Sequence, residues 1–301
     1  MKIYNNLNIN KKHQRSVVAI GNFDGIHLGH QKVINQAKQK AKKKKLPFGI
    51  MTFEPVPVMF FNPKIKNHRI NSLDQKKSQL KKIKLDFLII IKFNKFFSSL
   101  SAEQFIEKII YKKVKCKLLY VSKNFKFGFK RQGNIQTLKR LENLFNYQTI
   151  ITRPFKKNKK IISSTLIRKK ISTGKIVEVK KLLNREWTIK GKVIKGQKRG
   201  RKIGFPTCNI KMNDYIIPRL GVYAVSVSGL SFNKKGISNV GYRPTFNGQS
   251  LLLETNIFGI NKNLYNKDLS ISFKKFIRPE KKFKNLEYLK KQIKIDITQA
   301  K

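Results

Sequence analysis

The chain has 301 residues, 40% of them hydrophobic, which is enough for one large core or two ordinary ones, and two domains are expected. No apolar run is long enough to cross a bilayer, and the start MKIYNNLNINKKHQR has neither an apolar stretch nor a small-residue cleavage site, so the chain reads as cytoplasmic. The formal net charge of +53 alone suggests a polyanion partner, yet lysines fall in nearly every segment and no aromatic RNA-binding strand accompanies them, which leaves non-specific RNA binding at low salt as the expectation.

The first informative element is VVAIGNFDGIHLGHQKVI, residues 17–34. Val17, Val18 and Ile20 form a β-rich run, Gly21, Asn22, Asp24 and Gly25 a turn, and a helical pattern follows from His30 to Lys45. The free N–H groups and positive dipole end of that helix would face whatever occupies the loop. His27 and His30 are three apart, so both can reach one side of the opening turn and donate to phosphate oxygens; capping or a surface role is the alternative. Further strand-like runs at 48–53, 87–93, 118–121 and 149–152 alternate with helical or polar stretches, which predicts βαβ units in an open parallel sheet with helices on its faces. Ligands of such sheets lie beyond the carboxyl ends of the strands, where the His27/His30 loop falls. No G-x-G-x-x-G is present, so a dinucleotide redox fold is not indicated.

Three later segments of this half stand out. MTFEPVP, residues 51–57, stiffens the end of a strand with Pro55 and Pro57. VSKNFKFGFKRQGN, residues 121–134, puts Asn124, Phe125, Phe127 and Gly128 just after a strand, as a hairpin-like loop with packed aromatics or as a ring-binding surface. ISSTLIR, residues 162–168, opens a helix; Ser163 or Ser164 suffices as its N-cap, while Arg168 adds a cation near exposed helical N–H groups.

After Leu183 the texture changes to short runs at 189–194, 222–227, 236–240, 251–257 and 269–273 spaced by Gly, Pro and Asn, which predicts a small antiparallel barrel. Leu286, Leu289, Ile293 and Ile297 recur at helical spacing, so a closing helix is expected to pack on it. The boundary is placed at 184/185, giving domains 1–184 and 185–301. GQKRGRKIGFPTCN, residues 196–209, is a basic glycine-rich loop without P-loop spacing, either a phosphate cradle or a charged turn. Glu254 is a lone carboxylate in an apolar strand of a chain with only 15 acidic residues; pairing with a surface lysine is its plain reading. Cys116 and Cys208 show no metal-ligand spacing and need no disulfide.

The H-x-G-H turn resembles the nucleotidylyltransferase signature, and the longer G-N-F-D-G-I-H-L-G-H resembles the opening of the prokaryotic bifunctional riboflavin kinase/FAD synthetase family. The F-E-P-x-P, N-F-x-F-G-x-x-R-x-G and I-S-S-T-x-I-R segments resemble the same family in order, as do G-R-x-x-G-F-P-T-C-N, LGVYA at 220–224 and NVGYRPTF at 239–246 in the second half. The resemblance implies a Rossmann-like adenylyltransferase domain followed by a riboflavin kinase barrel, using ATP, riboflavin and FMN with Mg²⁺. It assigns His27 and His30 to adenylyl transfer and Gly21, Phe23, Asp24, Gly25, Ser163, Ser164, Thr165 and Arg168 to nucleotide phosphates. Asn124, Phe125 and Arg131 are implied at the flavin, with Glu54 and Pro55 shaping the nucleotide pocket. In the second domain it implies nucleotide contacts from Gly196, Arg199, Gly200, Arg201 and Gly204, Mg²⁺ ligation by Thr207 and Asn209, general-base catalysis by Glu254 and a flavin contact by Arg278. Two rival readings are a chain keeping only one activity and a basic RNA-binding protein on a decayed enzyme scaffold.

Overall fold

The computed structural model describes residues 1–157, 160–196, 199–212, 214–229, 231–245, 248–260 and 262–301. Residues 1–65 with 76–163 form one compact unit, and residues 66–75 with 164–301 form a second.

The first unit is built on six strands: β1 (Lys2–Tyr4), β2 (Val17–Ile20), β3 (Phe48–Glu54), β4 (Phe87–Lys92), β5 (Leu118–Ser122) and β6 (Gln148–Thr152). They lie in the order β1-β4-β3-β2-β5-β6, and every pairing is parallel. A parallel sheet is covered on both faces, so its strands read as unbroken apolar runs, as FLIIIK and VVAI do. Gly49 belongs to the same logic, since a Cβ there would run into the Phe87 ring on β4. The helix Leu28–Lys44 returns the chain to β3 with Ile34, Ala37 and Ala41 buried at helical spacing, and Lys45 ends it in the left-handed region at φ 53°. From β2 the chain works outward to β4 and then crosses back to β5 on the other side of β2. That reversal between β2 and β5 is the kind of switch point outside which ligands of open α/β sheets bind, and the loops 21–27 and 123–134 leave from the carboxyl ends of these two strands. β1 pairs with β4 at the sheet edge; with three residues, two of them exposed, it carries no periodicity to read. A short antiparallel pair, β7 (Lys156–Lys157) and β8 (Lys160–Ile161), follows the sheet.

In the second unit β9 (Thr188–Ile194), β10 (Cys208–Lys211), β11 (Gly221–Gly229), β12 (Phe232–Thr245), β13 (Gly248–Ile257) and β14 (Asp268–Arg278) close an antiparallel barrel in the order β10-β13-β12-β11-β14-β9. One register row, Cys208, Thr255, Ser238 and Tyr223, is buried, with Thr255, Ser238 and Tyr223 at 0% exposure. The two hydroxyls of that row satisfy each other at 2.7 Å between Ser238 Oγ and Thr255 Oγ1. Because side chains alternate, the next row, Asn209, Glu254 and Asn239, shares the opposite, outer face. Helices Ser164–Ser172 and Ile176–Leu183 bury Ile167, Ile171, Ile176, Val179 and Leu183. Residues 66–75 are bonded into this unit. Trp187 Nε1 donates to Ile70 O at 2.9 Å, Asn67 Nδ2 to Met212 O at 2.7 Å, Gln75 Nε2 to Thr188 O at 2.8 Å and Arg185 Nη2 to Asn71 Oδ1 at 3.0 Å.

The closing helix, Leu286–Ala300, lies against β11, β12 and β14 as expected, but its anchor differs from the expected apolar stripe. Leu286 is 61% exposed, and the one buried residue of the helix is Asp296, which takes Arg278 Nε at 2.9 Å and Nη2 at 2.7 Å. A two-point guanidinium–carboxylate pair fixes orientation in a way that partly buried leucines do not.

Candidate functional site

In the first unit the sequence from Gly21 to His30 forms a tight loop between β2 and the following helix. Phe23, Gly25 and Ile26 all have positive φ, at 45°, 81° and 38°. Two non-glycine residues in that region make this a costly backbone path, which surrounding contacts must hold. Thr52 Oγ1 donates to Asn22 O at 3.1 Å, and Lys76 Nζ, on a side chain only 1% exposed, donates to the same carbonyl at 2.8 Å. Lys76 was invisible to sequence reasoning, because one lysine among so many carries no signal.

His27 is the N-cap of the helix: its Nδ1 accepts the His30 N–H at 3.3 Å. An imidazole that accepts at Nδ1 carries its proton on Nε2 in the neutral form, which makes Nε2 the donor. The two imidazoles are stacked at 3.6 Å between centroids and 18° between planes, and the Phe23 ring stands edge-on to His30 at 5.2 Å. The capping reading of His27 is thus the one the hydrogen bond displays. Gly29 makes the packing feasible, since a Cβ there would lie 3.1 Å from the His27 ring and 3.2 Å from Ile162 O. Ile162 immediately precedes Ser163, so the first residue of the ISSTLIR segment enters this neighbourhood. Ser164, Thr165 and Arg168 belong to the second unit, where Thr165 is exposed and Arg168 Nε donates to His68 O at 2.9 Å.

The 121–134 segment is a closed turn: Phe127 and Gly133 exchange backbone hydrogen bonds at 3.1 and 2.9 Å. Gly128 at φ 74° and Gly133 both press against Ala102, where a Cβ would collide. Phe125 and Phe127 stack at 5.5 Å, while Asn124 and Arg131 are exposed on the turn. Sequence reasoning missed a neighbouring ring cluster at the ends of β3 and β4. Phe93 contacts Phe53 at 6.1 Å, Phe60 at 5.3 Å and Phe61 at 5.7 Å, and Phe61 is 64% exposed.

In the second unit the 196–209 loop folds against β10. A Cβ on Gly196 would run into the Asn209 amide, and one on Gly200 into Phe205 O and towards Thr207 Oγ1. Gly204 needs its φ of 89°, and Arg201 is exposed. The Arg199 side chain, Gln197 and Lys198 lie outside the described residues, as does Phe246. Asn256 Nδ2 donates to Pro206 O at 2.7 Å and so pins the P-T-C-N turn. Burial pushes the Cys208 thiol up to about 11, which makes it a packing residue.

Thr207 is exposed, Asn209 is 7% exposed, and Asn209 Oδ1 is buried with no hydrogen-bond partner among the described residues. A buried amide oxygen of this kind is a ligand type that suits a hard cation. Among the described residues no group of three His, Cys, Asp or Glu side chains could hold a metal. Oxygen donors such as Asn209 Oδ1 and the Thr207 hydroxyl are the ligand types a hard divalent cation takes. Glu254 lies between Asn209 and Asn239 in the outer row. Its partner is Arg243, with Nε at 2.9 Å and Nη2 at 2.7 Å from Oε2, where the plain reading expected a lysine. Arg278 does not join this row's hydrogen bonds; its guanidinium edge is given to Asp296.

Two family models match the chain: FAD synthetase over residues 9–166 and riboflavin kinase over residues 183–301. A bifunctional riboflavin kinase/FMN adenylyltransferase from Buchnera aphidicola of Schizaphis graminum is 42% identical, covering 96% of this chain and 94% of its own. The one from Haemophilus influenzae is 39% identical over 98% and 96% of the two chains. A crystal structure described as a macrolide-efflux protein from Streptococcus pneumoniae superposes with a TM-score of 0.86 at 31% identity, covering 99% of this chain and 97% of that one. Among the described residues no helix is long and apolar enough to cross a membrane.

Proposed function

We infer the division of labour in this molecule from one premise: the chain belongs to the bifunctional riboflavin kinase/FMN adenylyltransferase family. It phosphorylates riboflavin with ATP to give FMN, and it transfers the adenylyl group of ATP to FMN to give FAD and pyrophosphate. Our assignment gives adenylyl transfer to residues 1–184 and phosphorylation to residues 185–301. One observation carries it: His27, stacked on His30, caps the helix that follows the carboxyl end of β2, while a carboxylate lies in a row of amides on the barrel.

For adenylyl transfer the attacking group is the FMN phosphate, already an anion, so no base is required. Its oxygen forms a bond to the α-phosphorus of ATP as the bond to the pyrophosphate oxygen breaks. Charge collects on the leaving pyrophosphate, and we assign its stabilisation to His27 and His30 beside the helix N-terminus. Gly21, Phe23, Asp24 and Gly25 shape the loop. Ser163, Ser164, Thr165 and Arg168 are assigned to the phosphates. Asn124, Phe125 and Arg131 receive the flavin, and the Phe61 and Phe93 rings extend its apolar wall.

For phosphorylation the nucleophile is a neutral 5′-hydroxyl, and a base is required. Glu254 takes its proton as the oxygen bonds to the γ-phosphorus and ADP leaves. Thr207 and Asn209 would hold Mg²⁺, which when bound neutralises phosphate charge. Gly196, Arg199, Gly200, Arg201 and Gly204 wrap the nucleotide, and Arg278 borders the flavin. We place the protein in the cytoplasm and expect non-specific polyanion binding from its charge; passage through a heparin column unretained at low salt would rule that out.

The test is incubation of the full chain with riboflavin, ATP and Mg²⁺ and chromatographic separation of the flavins. FMN followed by FAD is expected. FMN without FAD would remove the first assignment, and no new flavin would remove both.

A further inference from the structure

On β12, residues 239, 241 and 243 share the outer face with Glu254 across on β13. The middle one is Gly241, and a Cβ there would run into Arg243 Nη1 and Glu280 Oε1. The Arg243 guanidinium therefore lies back over the bare Gly241 backbone and reaches the carboxylate paired with Asn239. All three of its nitrogens are used. Nε and Nη2 both go to Glu254 Oε2, at 2.9 and 2.7 Å, and Nη1 goes to Tyr242 O at 3.0 Å and Glu280 Oε1 at 3.1 Å. Asn239 Nδ2 donates to the same Glu280 oxygen at 3.0 Å. Burial works to lower the pKa of Arg243, and the hydrogen bonds and charges of Glu254 and then Glu280 outweigh it and raise it.

We propose that Arg243 is a positioning residue of the phosphoryl-transfer site, occupying Oε2 of Glu254 so that Oε1 alone accepts the substrate proton, with Asn239 and Glu280 locking the guanidinium in place. The proposal rests on the reading of Glu254 as the base. Neither contact with Arg243 uses Oε1. A glutamate held at one oxygen by two bonds from a planar fork has lost its side-chain freedom before substrate arrives, so the proton acceptor is already aligned. Two of the chain's 15 acidic residues converge on this one arginine although 68 lysines and arginines are available. An incidental surface pair would not require a glycine beneath it and an amide clamping its second acid.

The test uses the full-length protein, riboflavin, ATP and Mg²⁺, with kcat and KM of FMN formation measured for Arg243→Met, Arg243→Lys and Glu280→Gln, each alone and combined with Glu254→Gln. Arg243→Met is expected to lower kcat about 10–100-fold with KM unchanged, as for other residues that orient a reacting group through a second contact. Arg243→Lys, which offers one bond and no fork, should recover part of the loss. In the Glu254→Gln background Arg243→Met should cost nothing more, because its only route to the chemistry is gone. Adenylylation of supplied FMN should be unchanged throughout and reports a folded chain. Unchanged kcat, a raised KM at constant kcat, or a full additional loss on top of Glu254→Gln would each overturn the proposal. If Arg243→Met does not fold, Glu280→Gln keeps every group that touches Glu254 and is expected to lower kcat several-fold; an unchanged kcat there overturns it equally. A full-rate Glu254→Gln enzyme would instead overturn the base assignment itself.

Discussion

In the parallel-sheet unit the candidate chemistry sits on backbone and rings between a strand and a helix, whereas in the barrel it sits on side chains in one register row of neighbouring strands. The difference follows from the two nucleophiles. A phosphate arrives charged and needs only placement and a receptacle for leaving charge, a role our assignment gives to a helix N-terminus and two imidazoles. A hydroxyl arrives neutral and needs an acceptor for its proton, a role our assignment gives to the barrel carboxylate that Arg243 holds. On that assignment one ATP-using chain carries out two phosphorus transfers with different donor sets.

The hardest way to break this comparison is to remove the base. Glu254→Gln is expected to cut FMN formation by about 10²–10⁴-fold while adenylylation of supplied FMN continues, read by separating the flavins after timed incubations. If both activities fell together in a folded protein, the two sites would not be separate. The reciprocal change, His30→Ala, should lower FAD formation by about 10²–10³-fold and leave FMN formation alone, measured in the same assay. Undiminished FAD formation would take His30 out of the mechanism.

Two glycine substitutions sharpen the contrast with smaller effects. Gly29→Ala is favoured by helix propensity by about 1 kcal/mol yet crowds His27, so thermal stability should hold while FAD formation drops. Gly196→Ala meets the Asn209 amide, so it should weaken FMN formation and raise the Mg²⁺ concentration needed, with the first site unaffected. The smallest effect concerns the thiols. Burial pushes Cys116 up to about 12 and Cys208 up to about 11, so neither should be alkylated in the folded chain at pH 8, as checked by mass spectrometry. Labelling of Cys208 alone would mean that β10 opens beside the second site.

Much of the architecture was legible because its signals are local. The runs at 17–20, 48–53, 87–93, 118–121 and 149–152 are strands of the sheet, and the five short runs after 183 are strands of the barrel. The glycine turn before His27 is a strong local statement as well. What stayed hidden depends on distant partners. β10 is four residues behind a glycine-rich loop and shows itself only through pairing with β13 and β9. Lys76 and Arg243 look like any surface cation until the Asn22 carbonyl and Glu254 are seen beside them. Asp296 reads as a polar position on an amphipathic helix, and only Arg278, 18 residues earlier, makes it the anchor.

The ten residues 66–75 carry a practical consequence for anyone who wants the kinase half by itself. Recombinant fragments are usually cut where the sequence texture changes, and a fragment starting at 185 would omit the strip that accepts the Trp187 indole proton and caps Arg185. Stranding that indole donor in the interior costs about 1–3 kcal/mol, a large part of the margin of a small barrel. A gene split at that point would separate a scaffold from its own lining, so the two catalytic halves are best expressed as the single uninterrupted polypeptide in which they occur.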